Sequence, residues 1–266
     1  LQTGGSVHVR GWDQEKVEVE IIAHSPQIIS DILEVSTDNS GMKIALFTED
    51  RKQLNLERIS LSVPEKSDIE VETMGGEIIL SDLQGNFSGK TMGGRMRFSG
   101  LKGTIDMVTM GGNIDVAKSV LDGNVETMGG NIMLNDITGD LDAKTMGGNV
   151  IYRNVYDSEG HPRSGGKVVK ISTMGGNIEL SEAPQGADLK TMGGNIELAR
   201  ASVYVNAHTM GGSITIDEID GWVSAVTMGG NVKVKMTGDV TQKKRDVTIS
   251  SMGGEIDLTL PENLSC

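Results

Sequence analysis

Apolar and polar residues alternate along most of this chain, the period of two that marks strands with one buried face. In the opening segment the alternation covers residues 17–21, 32–36, 42–46 and 59–63, with the turn cluster Asp38-Asn39-Ser40-Gly41 between the second and third. These strands predict an antiparallel cap over residues 1–64, with a short helix at 26–33.

From residue 69 to 260 the alternation is locked to a repeated tetrapeptide. Thr-Met-Gly-Gly occurs nine times and Ser-Met-Gly-Gly once, led by Thr73, Thr91, Thr109, Thr127, Thr145, Thr173, Thr191, Thr209, Thr227 and Ser251. Seven of the nine intervals are 18 residues, one is 28 and one is 24. Aligned on the threonine, the apolar positions fall in columns. Two and four residues before it stand pairs such as Ile69/Val71, Ile105/Met107 and Val247/Ile249, while five and seven after it stand pairs such as Ile78/Leu80, Ile132/Leu134 and Ile196/Leu198. Each unit is therefore two inward-facing strands with the two glycines at the corner.

Eighteen residues would also make five helical turns, but paired glycines in every unit and strict alternation exclude helix. A hexapeptide helix needs an aliphatic residue at every sixth position, where Glu72, Lys90 and Lys144 stand instead, and the Gly-x-Gly-x-Asp series of calcium-binding nonapeptides is missing. The remaining architecture is all-β: a right-handed parallel β-helix of about ten 18-residue coils over residues 65–266, capped by the antiparallel strands, with hand assigned from the crossover rule. At a coil spacing of about 4.8 Å the rod is roughly 45 to 50 Å long. Thr3-Gly4-Gly5-Ser6-Val7 reads as a degenerate copy of the repeat without its methionine. Loop insertions at 152–166 and 236–246 account for the two long intervals.

Composition agrees with stacked aliphatic ladders, since aromatics are 3% and glycines number 36. A formal charge of −13 disfavours nucleic acid, which needs a concentrated basic face. Cys266 is the single cysteine, so no internal disulfide and no cysteine-based metal site is expected. No apolar run reaches the roughly 20 residues of a membrane helix, so no membrane insertion by this segment is expected. The start at Leu1 fits a leader that was removed or omitted.

The opening Gly5-Ser6-Val7-His8-Val9-Arg10-Gly11-Trp12, the entry Ser62-Val63-Pro64 and the Thr-x-x-Gly-x-Ile coils resemble the adhesin family of bacterial cell-envelope β-solenoid proteins, a domain of unknown function. The resemblance covers nearly the whole chain. It implies an extracytoplasmic solenoid, in the periplasm or at the cell surface, with a surface glycan or protein as ligand, and no catalytic residues. Relatives linked to envelope stress sensing make a sensor the alternative, beside a self-assembling structural subunit. The uniform Met-Gly-Gly and the charged insertion depart from the family pattern.

Candidate chemistry is sparse. The methionine column from Met74 to Met252 would be an adaptable apolar strip or a soft-metal track if exposed. The expectation is that a bulge at the Gly-Gly corner turns it inward, because a long exposed strip invites aggregation; Met146→Ala would then cost about 2 to 5 kcal/mol. The asparagine column, Asn113 to Asn231, reads as amides bonding to one another along the coils, and the threonines as an inward hydroxyl ladder without a base to activate them. His8, His24, His161 and His208 lack metal-ligand spacing. Asp217-Glu218-Ile219-Asp220 and Asp136 with Asp140 read as solvated turns, and Lys243-Lys244-Arg245 as a solvated basic turn.

The remaining candidate is the first insertion, where Tyr152, Arg153, Tyr156, Asp157, His161 and Arg163 form a binding loop on a rigid scaffold. No catalytic residue, metal or cofactor is expected. A polysaccharide-active β-helix enzyme would need aromatic platforms in register, and Trp12, Trp222 and the tyrosines are read as out of register.

Overall fold

The computed structural model describes residues 5–23, 33–38, 41–46, 56–156, 168–238 and 245–261. Among them every regular element is a β-strand, and the strands form one 22-stranded sheet and a separate two-stranded hairpin.

The chain winds as a β-solenoid whose turns are the 18-residue units. After each Thr-Met-Gly-Gly corner comes one strand, as in Ile78–Ser81, Met96–Ser99 and Ile196–Ala201. A second corner follows, and then the strand that leads to the next threonine, as in Gln84–Thr91, Lys102–Thr109 and Leu141–Thr145. Each strand pairs in parallel with its counterpart one turn away. Nine such steps join Ile78, Met96, Ile114, Ile132, Val150, Ile178, Ile196, Ile214, Val232 and Ile256 in one column.

From Ile78 to Val232 that column, the one two residues later from Leu80 to Val234, and the apolar residues of the second corner (Leu83, Leu101, Ile137, Ile219 among them) are buried together in a single core, while Ile256 on the last coil is exposed. Stacking identical positions packs like against like along the axis. Branched aliphatic side chains make up most of these ladders in the narrow interior, with Phe87, Phe98 and Tyr152 buried among them.

At the N-terminal end, Ser6–Trp12 pairs in parallel with Ile78–Ser81 and with Leu56–Pro64, so it is a strand of the solenoid itself. From Gly5 onward the degenerate opening copy thus occupies a coil position. Thr73 Oγ1 donates to the Gly5 carbonyl at 3.4 Å, as the later threonines do to theirs. Antiparallel pairing begins beyond it, where Glu18–Ala23 lies on Leu56–Pro64. The hairpin Leu33–Asp38 with Gly41–Leu46 closes at Asp38 opposite Gly41, on the anticipated turn. The helix expected at 26–33 falls almost entirely outside the described residues, and its last residue, Leu33, begins a strand.

Both insertions leave through the second corner. The first departs after Val150–Tyr156 and rejoins before Val169–Ser172; the second departs after Gly238 and rejoins before Val247–Ser251. The first therefore starts later than residue 152, because Tyr152 belongs to the strand that precedes it.

Candidate functional site

The recurrent corner is built from its threonine. From Thr91 to Ser251 each hydroxyl does two things: it accepts the N–H of the second glycine in its own coil and donates to the second glycine's carbonyl one coil earlier. At Thr145 the distances are 3.2 Å from Gly148 N and 2.8 Å to Gly130 O; at Thr191 they are 3.2 Å from Gly194 N and 2.9 Å to Gly176 O. The threonines from Thr73 to Thr227 are buried, so the expected hydroxyl ladder is present.

The two glycines differ. A Cβ on the second one would lie 1.8 to 2.2 Å from the second-glycine carbonyl of the coil before, or from Gly5 O in the first case, so any side chain there would collide with backbone. A Cβ on the first would meet no atom closer than 3.5 Å from Gly111 to Gly253, and nothing within 4 Å at Gly93. None of these first glycines has a positive φ. The second glycine is a packing requirement, whereas the first is not.

The methionines between the threonines and the first glycines face solvent, contrary to the inward reading. From Met74 to Met228 they are 43 to 52% exposed, and Met252 at the end of the row is 80% exposed. The physical reason is the closeness of the coils at this corner. Threonine occupies the inward position, the stacked second glycines fill the space behind it, and there is no bulge to admit a thioether. The lower exposure inside the row shows that each methionine shields its neighbours. Their backbone is also satisfied: Gly147 N donates to Met128 O at 3.0 Å, Gly175 N to Met146 O at 3.1 Å and Gly193 N to Met174 O at 3.0 Å. The result is a continuous strip of thioethers beside side-chain-free, hydrogen-bonded backbone.

One edge of the strip is the asparagine column. Its role is structural, as anticipated, but the partner differs from the amide-to-amide contact expected. Asn113 Oδ1 accepts from Asn131 N at 2.9 Å, Asn131 Oδ1 from Asn149 N at 2.8 Å and Asn177 Oδ1 from Asn195 N at 2.7 Å. Each amide thus caps the backbone of the next coil at the corner exit.

Of the residues anticipated as a binding loop, Tyr152, Arg153 and Tyr156 are described, and all three belong to the strand Val150–Tyr156. Tyr152 is buried, stacked between Leu134 and Leu180 in a core column, and its hydroxyl donates to Leu141 O at 3.0 Å. It stands seven residues after Thr145, the spacing of that column, which was the signal for its place. Arg153 is exposed and bound to Glu179 at 2.9 Å, tying two coils together. Tyr156 ends the strand opposite Thr138. Asp157, His161 and Arg163 lie outside the described residues.

A different aromatic feature does form. Tyr204 and Trp222 are 18 residues apart, pair in register on adjacent coils and stack with centroids 4.7 Å apart at 8°. The reading that the aromatics fall out of register is corrected here; the interval itself was the overlooked signal. Gly186, one coil before Tyr204, has φ of +104°, and a Cβ on it would lie 2.3 Å from the tyrosine ring. The polar surroundings are ordered: Tyr204 Oη donates to Asp188 at 3.3 Å, Asn206 Nδ2 to Asp188 at 3.2 Å, and His208 Nε2 lies 2.8 Å from Asn206 Oδ1. Burial, then the Asp188 charge and its hydrogen bond, push the Tyr204 phenol above its usual range. Trp222 is 39% exposed.

Other titratable groups are used structurally. Glu218 pairs with Arg200 at 3.3 Å and Lys235 at 3.9 Å. Arg245 corrects the solvated-turn reading: its side chain is largely buried and bonds the Thr237 carbonyl and the Asp220 carboxylate, fastening the second insertion to the rod. His8 is held below its usual pKa, first by burial and then by Arg58. A depression of about 280 Å³ on the outer face, lined by Glu70, Glu72, Lys90 and Asp106, is open. Among the described residues no three of His, Cys, Asp and Glu are grouped as a metal site, and no helix is long and apolar enough to cross a membrane.

No protein-family model matches the chain, and no curated protein matches it. Among solved structures, the crystal structure of a "Putative lipid binding protein" from Parabacteroides distasonis is similar at 15% identity, over 96% of this chain and 89% of that one, with a TM-score of 0.34. At that level the likeness carries no argument about ligand or activity.

Proposed function

We propose that this protein is a non-enzymatic scaffold of the bacterial cell envelope, acting outside the cytoplasm, whose adhesive face is the methionine and glycine strip. The observation that carries the reading is the first glycine. Neither packing nor backbone conformation calls for it, yet it recurs beside every exposed methionine, keeping the strip low and unobstructed. Exposed apolar surface of this extent marks interaction sites in soluble proteins. Flexible thioethers adapt to the surface they meet. A repeat also presents the same groups on each coil, whereas catalysis needs different groups converging at one place. The envelope location rests on the sequence resemblance.

A second reading is favoured by the Tyr204 and Trp222 stack, whose rim of Asp188, Asn206 and His208 suits a glycan: a flat apolar face bordered by hydrogen-bonding groups.

An array of surface glycans and matrix proteins tests both. Wild type is compared with a variant carrying Gln at Met128, Met146, Met174 and Met192, and with Trp222→Ala. Binding lost in the glutamine variant supports the adhesive strip, and loss confined to Trp222→Ala supports glycan contact. Binding unaffected by either change removes both readings.

A further inference from the structure

We infer that the strip docks on the same strip of a second copy of this chain, the two rods lying antiparallel about a two-fold axis. The inference rests on the strip being the working face and names its occupant.

Three observations select that occupant. Periodicity comes first: methionines recur at the coil spacing of about 4.8 Å over nine steps, roughly 43 Å, and the strip of another copy matches that spacing and length. In an antiparallel mating the two methionine rows meet each other and the bare first glycines beside them meet likewise, letting the two backbones approach, which gives the first glycine a purpose. Extent is the second. From the residue before each threonine to the residue after the second glycine is six residues, five steps that span at most about 16 Å around the corner, so the footprint is at most roughly 700 Å². A standard interface takes about 800 Å² from each partner, so a reversible dimer is the expected outcome.

Charge is the third. The column before the threonines reads Glu72, Lys90, Val108, Glu126, Lys144, Ser172, Lys190, His208, Val226, Ser250, and the column after the glycines reads Glu77, Arg95, Asn113 to Asn195, Ser213, Asn231, Glu255. Mating the rods parallel about a two-fold along the strip would set Glu72 against Glu77 and Lys90 against Arg95, like on like, at both edges. Mating them antiparallel with full overlap sets Glu126 of each copy against Lys190 of the other, twice, and no other pair in that column holds two charges. On the opposite edge asparagines meet neutral partners, apart from Arg95 opposite Asn231. The like pair Glu77 and Glu255 falls at the extreme ends, where Arg97 already binds Glu77 at 3.2 Å. A central Met146 then faces Met174 of the other copy.

The test is sedimentation of the full chain in a Cys266→Ser background, near 0.15 M salt where the Debye length is about 8 Å and repulsion between two bodies of charge −13 is screened. Wild type should show a reversible monomer–dimer equilibrium, and Met146→Glu should weaken it by at least about tenfold. Glu126→Lys and Lys190→Glu should each weaken it severalfold, and the double exchange should restore it. A thermal melt of each variant separates loss of association from loss of folding. A wild type that stays monomeric to millimolar concentration overturns the inference, as does a dimer indifferent to Met146→Glu; a double exchange that fails to rescue overturns the antiparallel register. A monomer that still shows strip-dependent binding on the array would sink this inference and leave the proposed function standing. A dimer with a silent array would do the reverse.

Discussion

Tyr204 and Trp222 lie face to face on neighbouring coils, 4.7 Å apart and 8° from parallel, in a column where the other coils carry small, polar or charged residues. Stacking of this kind adds about 0.5 to 1.5 kcal/mol beyond the area it buries. A double-mutant cycle of Tyr204→Ala and Trp222→Ala in denaturant unfolding should return a coupling in that range. Additive losses would mean the rings stand side by side without supporting each other.

The Tyr204 phenol is the group to follow at high pH. Its folded pKa is raised, so whatever stability it contributes is present below the ordinary phenol value near 10 and is lost as pH rises through the folded value. Asp188→Asn keeps the burial and removes the charge, so phenolate absorbance should appear at lower pH than in wild type. An unmoved titration would leave burial as the whole cause.

Gly147 and Gly148 are adjacent in sequence and should respond in opposite ways. At Gly147 an alanine methyl meets nothing nearer than 3.5 Å, and by restricting the unfolded chain it should be neutral or stabilising by about 0.4 to 1 kcal/mol. At Gly148 the methyl would sit 1.9 Å from Gly130 O, and Gly148→Ala should cost more than about 4 kcal/mol or prevent folding. Equal melting temperatures would contradict the coil contact.

Thr145→Val keeps the shape of the side chain and strands two buried polar groups, the Gly148 N–H and the Gly130 carbonyl, at a cost of about 1 to 3 kcal/mol. Met146→Ala next to it, on the exposed row, should change stability by less than about 0.5 kcal/mol. Urea midpoints of the two variants measured side by side decide the matter; a larger loss at Met146 would return the methionines to the core.

Peroxide should read the same division chemically. Peptide mapping after brief oxidation should find sulfoxide at the row from Met74 to Met252 well before Met96, Met107 and Met236, which are buried. If the rows mate, raising the protein concentration should slow oxidation at Met146 and Met174 more than at Met252. Uniform oxidation of all these sites would place the row and the core in the same environment.

The solenoid and its columns were legible because a repeat of 18 stacks equal positions, so alternation in one unit is confirmed by the next. The opening strand could be read from Thr3-Gly4-Gly5 for the same reason. Two misplacements were still answerable by counting: Tyr152 stands at a core interval after Thr145, and Trp222 one period after Tyr204. The direction of the methionines was not. It depends on how closely consecutive coils approach at the corner, a distance fixed by backbone contact between second glycines and by threonine hydroxyls that leave no room inside. Alternation alone is silent where the chain turns. Arg245 is similar: a basic run looks solvated until the fold supplies Asp220 and the Thr237 carbonyl beside it.

Both insertions depart through the corner away from the methionines, which divides the rod lengthwise into an edge that tolerates novelty and an edge that does not. New segments can be spliced into the first without altering the spacing of the second by an ångström. A lineage of such proteins could diversify one margin freely while the other kept time like the teeth of a rack, each new coil adding one more tooth at the same pitch.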